Sequence, residues 1–188
     1  MDRRQAQNSS SSGKGNAVHL LLIRHADALP LADVAGSSDT DRPLSVRGHA
    51  QAKALGRLLN KRQIRLDRIV ASPLLRARET ADDLRAALSA DAPAVTLNEE
   101  LAPGGKRRKL ARSLRELGGD CIGIVGHEPD LSILAAWLIG SKKAQIDLAK
   151  GGVASISFSD AVRKDAGVLV WLLTPDLIED SAGAPPVA

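Results

Sequence analysis

The sequence predicts an α/β fold: a single three-layer domain whose mixed, mostly parallel sheet is flanked by helices and carries a C-terminal antiparallel hairpin. Three observations predict it. Val18–Ile23, His19 apart, and Cys121–Val125 are apolar runs bounded by polar or Gly/Pro signals, the pattern of inner strands in a parallel sheet. Segments of helical spacing separate these runs. In the last third, Gly152–Phe158 sets Val153, Ser155 and Ser157 against Ala154, Ile156 and Phe158, and Val168–Leu173 is apolar again. With the polar turn Asp160–Gly167 between them, these two read as an antiparallel hairpin at a sheet edge.

The elements follow in order. After the first strand comes a polar loop, Leu29 to Pro43, rich in Pro, Gly, Ser and Asp. Ser45 reads as a helix N-cap, and Val46–Lys61 carries helical spacing through Ala50, Ala54, Leu55, Leu58 and Leu59. Leu66–Ala71 is the second strand. Ser72-Pro73 then reads as a helix start, a capping Ser followed by Pro at the first helical position, with the helix running to about Leu88. Ala94–Leu97 is a short strand, followed by the acidic turn Asn98-Glu99-Glu100 and the breaker Pro103-Gly104-Gly105. Lys106–Leu117 is a third helix closed by Gly118-Gly119, Cys121–Val125 a strand, and Glu128 to about Ile139 a fourth helix ended by Gly140.

Composition bounds the function. A chain of 188 residues at 44% hydrophobic content forms one domain with a proper core, here placed at residues 17–176. Residues 1–16 read as a polar, disordered tail and 177–188 as a flexible Pro/Ala/Gly tail. No apolar run approaches the roughly 18 residues that span a bilayer, and Met1–Asn16 has no secretory pattern, so a cytosolic protein without a membrane partner is expected. The single cysteine, Cys121, excludes a disulfide framework and a Cys metal cluster. The net charge is +4, but Arg3, Arg4 and Lys14 against Asp2 put +2 of it in the tail. With one Phe, two Trp and no Tyr, stacking platforms for single strands are missing too, and a nucleic-acid partner is not expected. The one dense basic run, Lys106-Arg107-Arg108-Lys109, reads as the solvated first part of a helix; its sharper reading is a docking patch for an acidic protein.

The chemistry lies at strand ends. In open α/β sheets ligands bind just past the carboxyl ends of the strands. The first strand delivers Arg24-His25 to that rim, the Cys121–Val125 strand delivers Gly126-His127, and the second strand passes into a helix bearing Arg76. A phosphoryl group in transfer needs positioned donors and cations, and arginine's planar fork bonds two of its oxygens at once. Neighbouring cations disfavour protonation of His25, and a neutral ring nitrogen is what in-line attack on phosphorus requires. Nucleophilic catalysis then divides hydrolysis into two easier steps. His127 would donate to a phosphoryl oxygen, with backbone N–H groups of the following helix start nearby. His19, within a strand, and His49, early on a helix, read as structural; Arg47, Arg78 and Arg85 read as surface charges.

Arg24-His25-Ala26, Ser72-Pro73-x-x-Arg76-Ala77-x-x-Thr80 and Gly126-His127 together resemble the histidine phosphatase (phosphoglycerate mutase-like) superfamily. Arg42-Pro43-Leu44-Ser45-x-x-Gly48, Glu100-Leu101-Ala102-Pro103, Gly151-Gly152-Val153-Ala154 and Trp171-Leu172-Leu173-Thr174-Pro175 resemble its SixA-like phosphohistidine phosphatases. The similarity spans about Val18 to Pro175. It implies that His25 is the phosphorylated nucleophile, that Arg24, Arg76 and His127 hold the phosphoryl group, and that Arg42 borders the pocket as a substrate-binding residue. It implies no metal and no cofactor. The family commonly has Gly where Ala26 stands here, a change that restricts the backbone more than the chemistry.

For the leaving group, larger members of the superfamily use a glutamate as acid. Leu-x-Glu spacing matches Glu99 to it, whereas Glu-Leu-x-Pro alignment matches Glu100. Imidazole titrates near pH 6.5, so phosphohistidine's leaving nitrogen can already carry a proton, which a serine alkoxide cannot. A weak acid would therefore favour N–P over O–P substrates. The short stretch between Leu97 and Leu117 implies an open site, and the resemblance implies a phosphohistidine-bearing partner, a phosphotransfer domain of two-component signalling or a phosphocarrier protein. The competing readings are a broader phosphomonoesterase acting on a small phosphorylated metabolite and a non-catalytic phosphate-binding module. The intact Arg24-His25 pair argues against the latter, since a binder needs no nucleophile. Mutase activity would need a further cationic clamp, and none is evident.

Overall fold

The computed structural model describes residues 17–34 and 38–182. Six strands form one sheet in the order β3-β2-β4-β1-β5-β6. Its parallel part consists of β1 (Val18–Arg24), β2 (Arg68–Ala71), β3 (Val95–Leu97) and β4 (Cys121–Gly126). β5 (Val153–Phe158) runs antiparallel to β1 and forms the expected antiparallel hairpin with β6 (Val168–Leu173). β1 and β4 are central, buried on both faces, which is why their sequences are apolar without alternation.

Alternate residues of β1 feed two cores. Leu21 and Ile23 pack with α1 (Val46–Lys61), α2 (Leu75–Ala86) and α5 (Pro175–Ala182) on one face. Leu20 and Leu22 pack with α3 (Arg107–Leu117) and α4 (Asp130–Leu138) on the other. The three-layer arrangement thus follows from the period-two direction of strand side chains.

Most boundaries agree with the sequence reading, α1 and its cap included: Ser45 accepts from Gly48 N–H at 3.0 Å. Two differ. The helix after β2 begins at Leu75, not at Pro73 with Ser72 as its cap, and Ser72 is fully buried below it. The chain does not fade into a tail after Asp176: α5 continues to Ala182 and buries Ile178 against the α1/α2 core. The expected tail 1–16, and the 183–188 portion of the other, lie outside the described residues. Among the described residues no helix is long and apolar enough to cross a membrane.

Candidate active site

Parallel pairing sets the site. β1 and β4 run in register, with Arg24 opposite Gly126, so the residues that follow, His25 and His127, emerge side by side at the carboxyl rim. Their ring centroids are 5.1 Å apart. The β1–α1 loop is clamped from every side. His25 N–H donates to Gly126 O at 3.0 Å, and Gly151 N–H to His25 O at 3.2 Å. Ala26 N–H donates to Thr80 Oγ1 (3.0 Å), whose own hydroxyl donates to Arg76 O (2.6 Å), tying α2 to this loop. Asp27 N–H donates to Gln51 Oε1 at 3.0 Å. Two glycines are required here. A Cβ on Gly48 would sit 1.9 Å from Asp27 O, and Gly151 has φ of +76°, the left-handed region. The Ala26 methyl fits, fully buried beside Ala28, Leu44 and Ala52.

The imidazole of His25 is 6% exposed. Its Nδ1 lies 2.8 Å from Ala26 O, a carbonyl that can only accept, so the proton resides on Nδ1 and Nε2 carries the lone pair. Arg76 Nε donates to that lone pair at 3.3 Å. Burial, reinforced by the charges of Arg76, Arg24 and Arg42 and opposed by the Ala26 hydrogen bond, pushes the His25 pKa down to about 4. His127, 3% exposed, is pushed down to about 3 by burial first and then by His25 and Arg76. Its Nε2 pairs with Ser72 Oγ at 2.8 Å. Ser72 Oγ, which also accepts Leu74 N–H at 3.3 Å, keeps a hydrogen that it can donate to His127 Nε2, and His127 Nδ1 is a buried atom with no protein partner. Two neutral rings result, that of His25 offering a lone pair at Nε2 and that of His127 free at Nδ1 to meet a ligand.

Arg76 is 4% exposed, while Arg78 and Arg85 of the same helix are exposed, as the sequence reading distinguished them. Its outer nitrogens donate to Asp39 O (2.7 Å) and Asp39 Oδ2 (3.1 Å). Arg42 faces the same centre through its charge on both histidines, with Nε 3.2 Å from Asp39 Oδ1 and a terminal nitrogen 3.4 Å from Leu29 O. Arg24 anchors a terminal nitrogen on Leu148 O at 2.9 Å and keeps a buried Nε without a partner. The structure thus brings Arg24, His25, Arg42, Arg76 and His127 together.

The two glutamates fare differently. Glu99 is exposed on the single 3-10 turn Glu99–Leu101. Glu100 lines a small cleft with His127, but its carboxylate accepts Lys106 N–H at 2.6 Å and lies 3.4 Å from Lys109 Nζ. The Lys106 N–H bond holds its pKa below the usual carboxylate range, the wrong direction for an acid kept protonated. Lys106 to Lys109 are exposed at the start of α3, as a solvated helix face.

Three residues escaped the sequence reading. Ser72 stood inside a quoted motif, but as a helix cap. Asp39 gave no signal in an aperiodic loop. Glu128, next to His127, has a buried Oε1 without a partner and a pKa raised by burial. Among the described residues no group of three or more His, Cys, Asp or Glu side chains could hold a metal ion.

This geometry agrees with comparisons to known proteins. The model of the histidine phosphatase superfamily (branch 1) matches residues 20–102. An uncharacterised protein of Picosynechococcus sp. is 34% identical over 143 residues, covering 74% of this chain and 84% of that one. Phosphohistidine phosphatase SixA of Escherichia coli is 23% identical over 161 residues, 84% of this chain and 94% of its own. A solved structure of SixA with tungstate superposes with a TM-score of 0.74 at 23% identity, covering 85% of this chain and 98% of that one. A phosphoserine phosphatase of Entamoeba histolytica, solved with phosphoserine, shares the fold at a TM-score of 0.60 and 19% identity, over 84% and 98% of the two chains.

Proposed function

The chain belongs to the histidine phosphatase superfamily, and from that premise we propose that it hydrolyses phosphohistidine on partner proteins through a phosphorylated His25. The observation that carries the reading is the Nε2 lone pair of His25, fixed by the Nδ1 bond to Ala26 O and met by Arg76 Nε at 3.3 Å. In the first step Nε2 attacks phosphorus. Arg76 Nε passes from the ring nitrogen to a phosphoryl oxygen, and His127 Nδ1–H, Arg24 and Arg42 stabilise the charge that spreads over the others. The leaving imidazole departs with the proton it carries near neutral pH. In the second step water attacks phosphorus, the N–P bond to His25 breaks, and phosphate is released.

The choice of an N–P substrate is supported by the state of the two glutamates that the sequence offers as acids. Glu100 is held ionised by Lys106 and Glu99 is solvent-exposed, so neither is poised to protonate an alkoxide. An N–P substrate needs no such help. The partner is then a histidine phosphotransfer domain or a phosphocarrier protein, in keeping with a cytosolic place of action. The test is phosphate release, in EDTA, from a phosphohistidine-bearing carrier protein and from a phosphoserine peptide, by the wild type and His25→Ala. Release from the carrier alone, lost in the variant, supports the reading. Comparable release from both replaces it with a general phosphomonoesterase, and release from neither with a phosphate-binding module.

A further inference from the structure

We propose that the Asp39 carboxylate is an intramolecular competitor for the anion site, holding Arg76 and Arg42 until a dianionic phosphoryl group displaces it. The inference rests on the reading of Arg76 as a phosphoryl-holding residue. Arg76 spends its Nε on His25; of the two terminal nitrogens, which would fork onto a second anion, one donates to the Asp39 carboxylate and the other to the Asp39 main-chain carbonyl. The other carboxylate oxygen lies 3.2 Å from Arg42 Nε. One side chain therefore occupies two of the cations gathered around the histidines.

The two sides of this contact differ in how firmly they are held. The Arg76 side chain is 5% exposed and rises from a packed helix, and a guanidinium so buried is costly without a counter-charge. Asp39 supplies that charge in the free protein. Its own side chain is 54% exposed on the single 3-10 turn Asp39–Asp41, none of whose residues is buried. Displacing it uncovers no core. An incoming phosphoryl dianion brings more charge and more acceptor oxygens than the carboxylate it replaces, whereas a carboxylate ligand would merely exchange like for like. Asp39 thus selects for dianions, and by returning to the arginines it limits how long product phosphate stays.

A role as mere support for Arg76 predicts the opposite sign, which makes the test decisive. Inorganic phosphate binding is measured by calorimetry on the full chain and on Asp39→Asn, Asp39→Ser and Asp39→Glu, with circular dichroism to select folded variants. Asp39→Asn and Asp39→Ser should bind phosphate about fivefold more tightly, the order expected for one ion pair exposed on its carboxylate side, and Asp39→Glu should stay near wild type. Unchanged or weaker phosphate binding in the folded neutral variants overturns the proposal. Turnover of a phosphohistidine carrier is measured in parallel. Tighter binding without turnover in any protein upholds the competitor and overturns only the phosphatase reading, while normal turnover with unchanged binding does the reverse.

Discussion

Arg76 Nε donates to His25 Nε2 at 3.3 Å, so the guanidinium meets the imidazole at the nitrogen proposed to attack phosphorus. A protonated ring could not accept that bond. The contact therefore ties the protonation state of the proposed nucleophile to the residue proposed to hold the phosphoryl group, and the proton on Nδ1 is fixed from the other side by Ala26 O.

Replacing that guanidinium by an ammonium tests the contact. Lysine keeps the charge but has no Nε–H partway along the chain and no fork. Arg76→Lys should lower kcat/KM by about 100-fold while circular dichroism stays unchanged. A loss of only twofold would show that charge alone is needed at this position.

Both histidines should remain neutral well below neutral pH. Their folded pKa values, about 4 for His25 and about 3 for His127, lie beneath the ordinary 6.5. Below pH 6.5 the unfolded chain therefore binds protons that the folded chain refuses. The stability each ring contributes is complete above about pH 6.5 and is lost as pH falls through the window down to its folded value. Urea midpoints should drop across pH 6.5 to 4, and His127→Gln should drop less steeply. Parallel slopes would contradict the buried, neutral assignment of His127.

Thr80 links the nucleophile loop to α2 by accepting Ala26 N–H and donating to Arg76 O. Thr80→Val keeps the shape and strands a fully buried backbone donor. Chemical denaturation should show a loss of about 1–3 kcal/mol, accompanied by reduced kcat because Ala26 adjoins His25. Wild-type stability would mean that the loop finds another acceptor.

Glu100→Gln separates the acid from the cap. Its carboxylate serves Lys106 N–H and Lys109 at the start of α3. Turnover on a phosphohistidine carrier should stay within about twofold. A fall of a hundredfold, with the fold intact, would restore Glu100 as a catalytic acid.

The rim could be read from sequence because its determinants are local. Apolar runs ending in Arg24-His25 and Gly126-His127 specify parallel central strands, and parallel register alone puts the two rings side by side. What escaped depends on contacts between distant segments. Ser72-Pro73 satisfies the pattern of a helix start, yet the Ser72 hydroxyl turns to His127 across 55 positions, and α2 waits for Leu75. Asp39 reaches Arg76 from a loop with no periodicity to register it. In α5 Ile178 is fully buried while Leu177 stays exposed, too short a pattern to tell from a tail.

The most direct test of the account is to quench a reaction with labelled phosphohistidine carrier within the first turnover and map the label by peptide mass spectrometry. A phosphoryl group on His25 that is acid-labile, stable in alkali and lost on chasing with unlabelled carrier is the predicted result. Sustained phosphate release with His25 unmodified, or with the label on another residue, would contradict it.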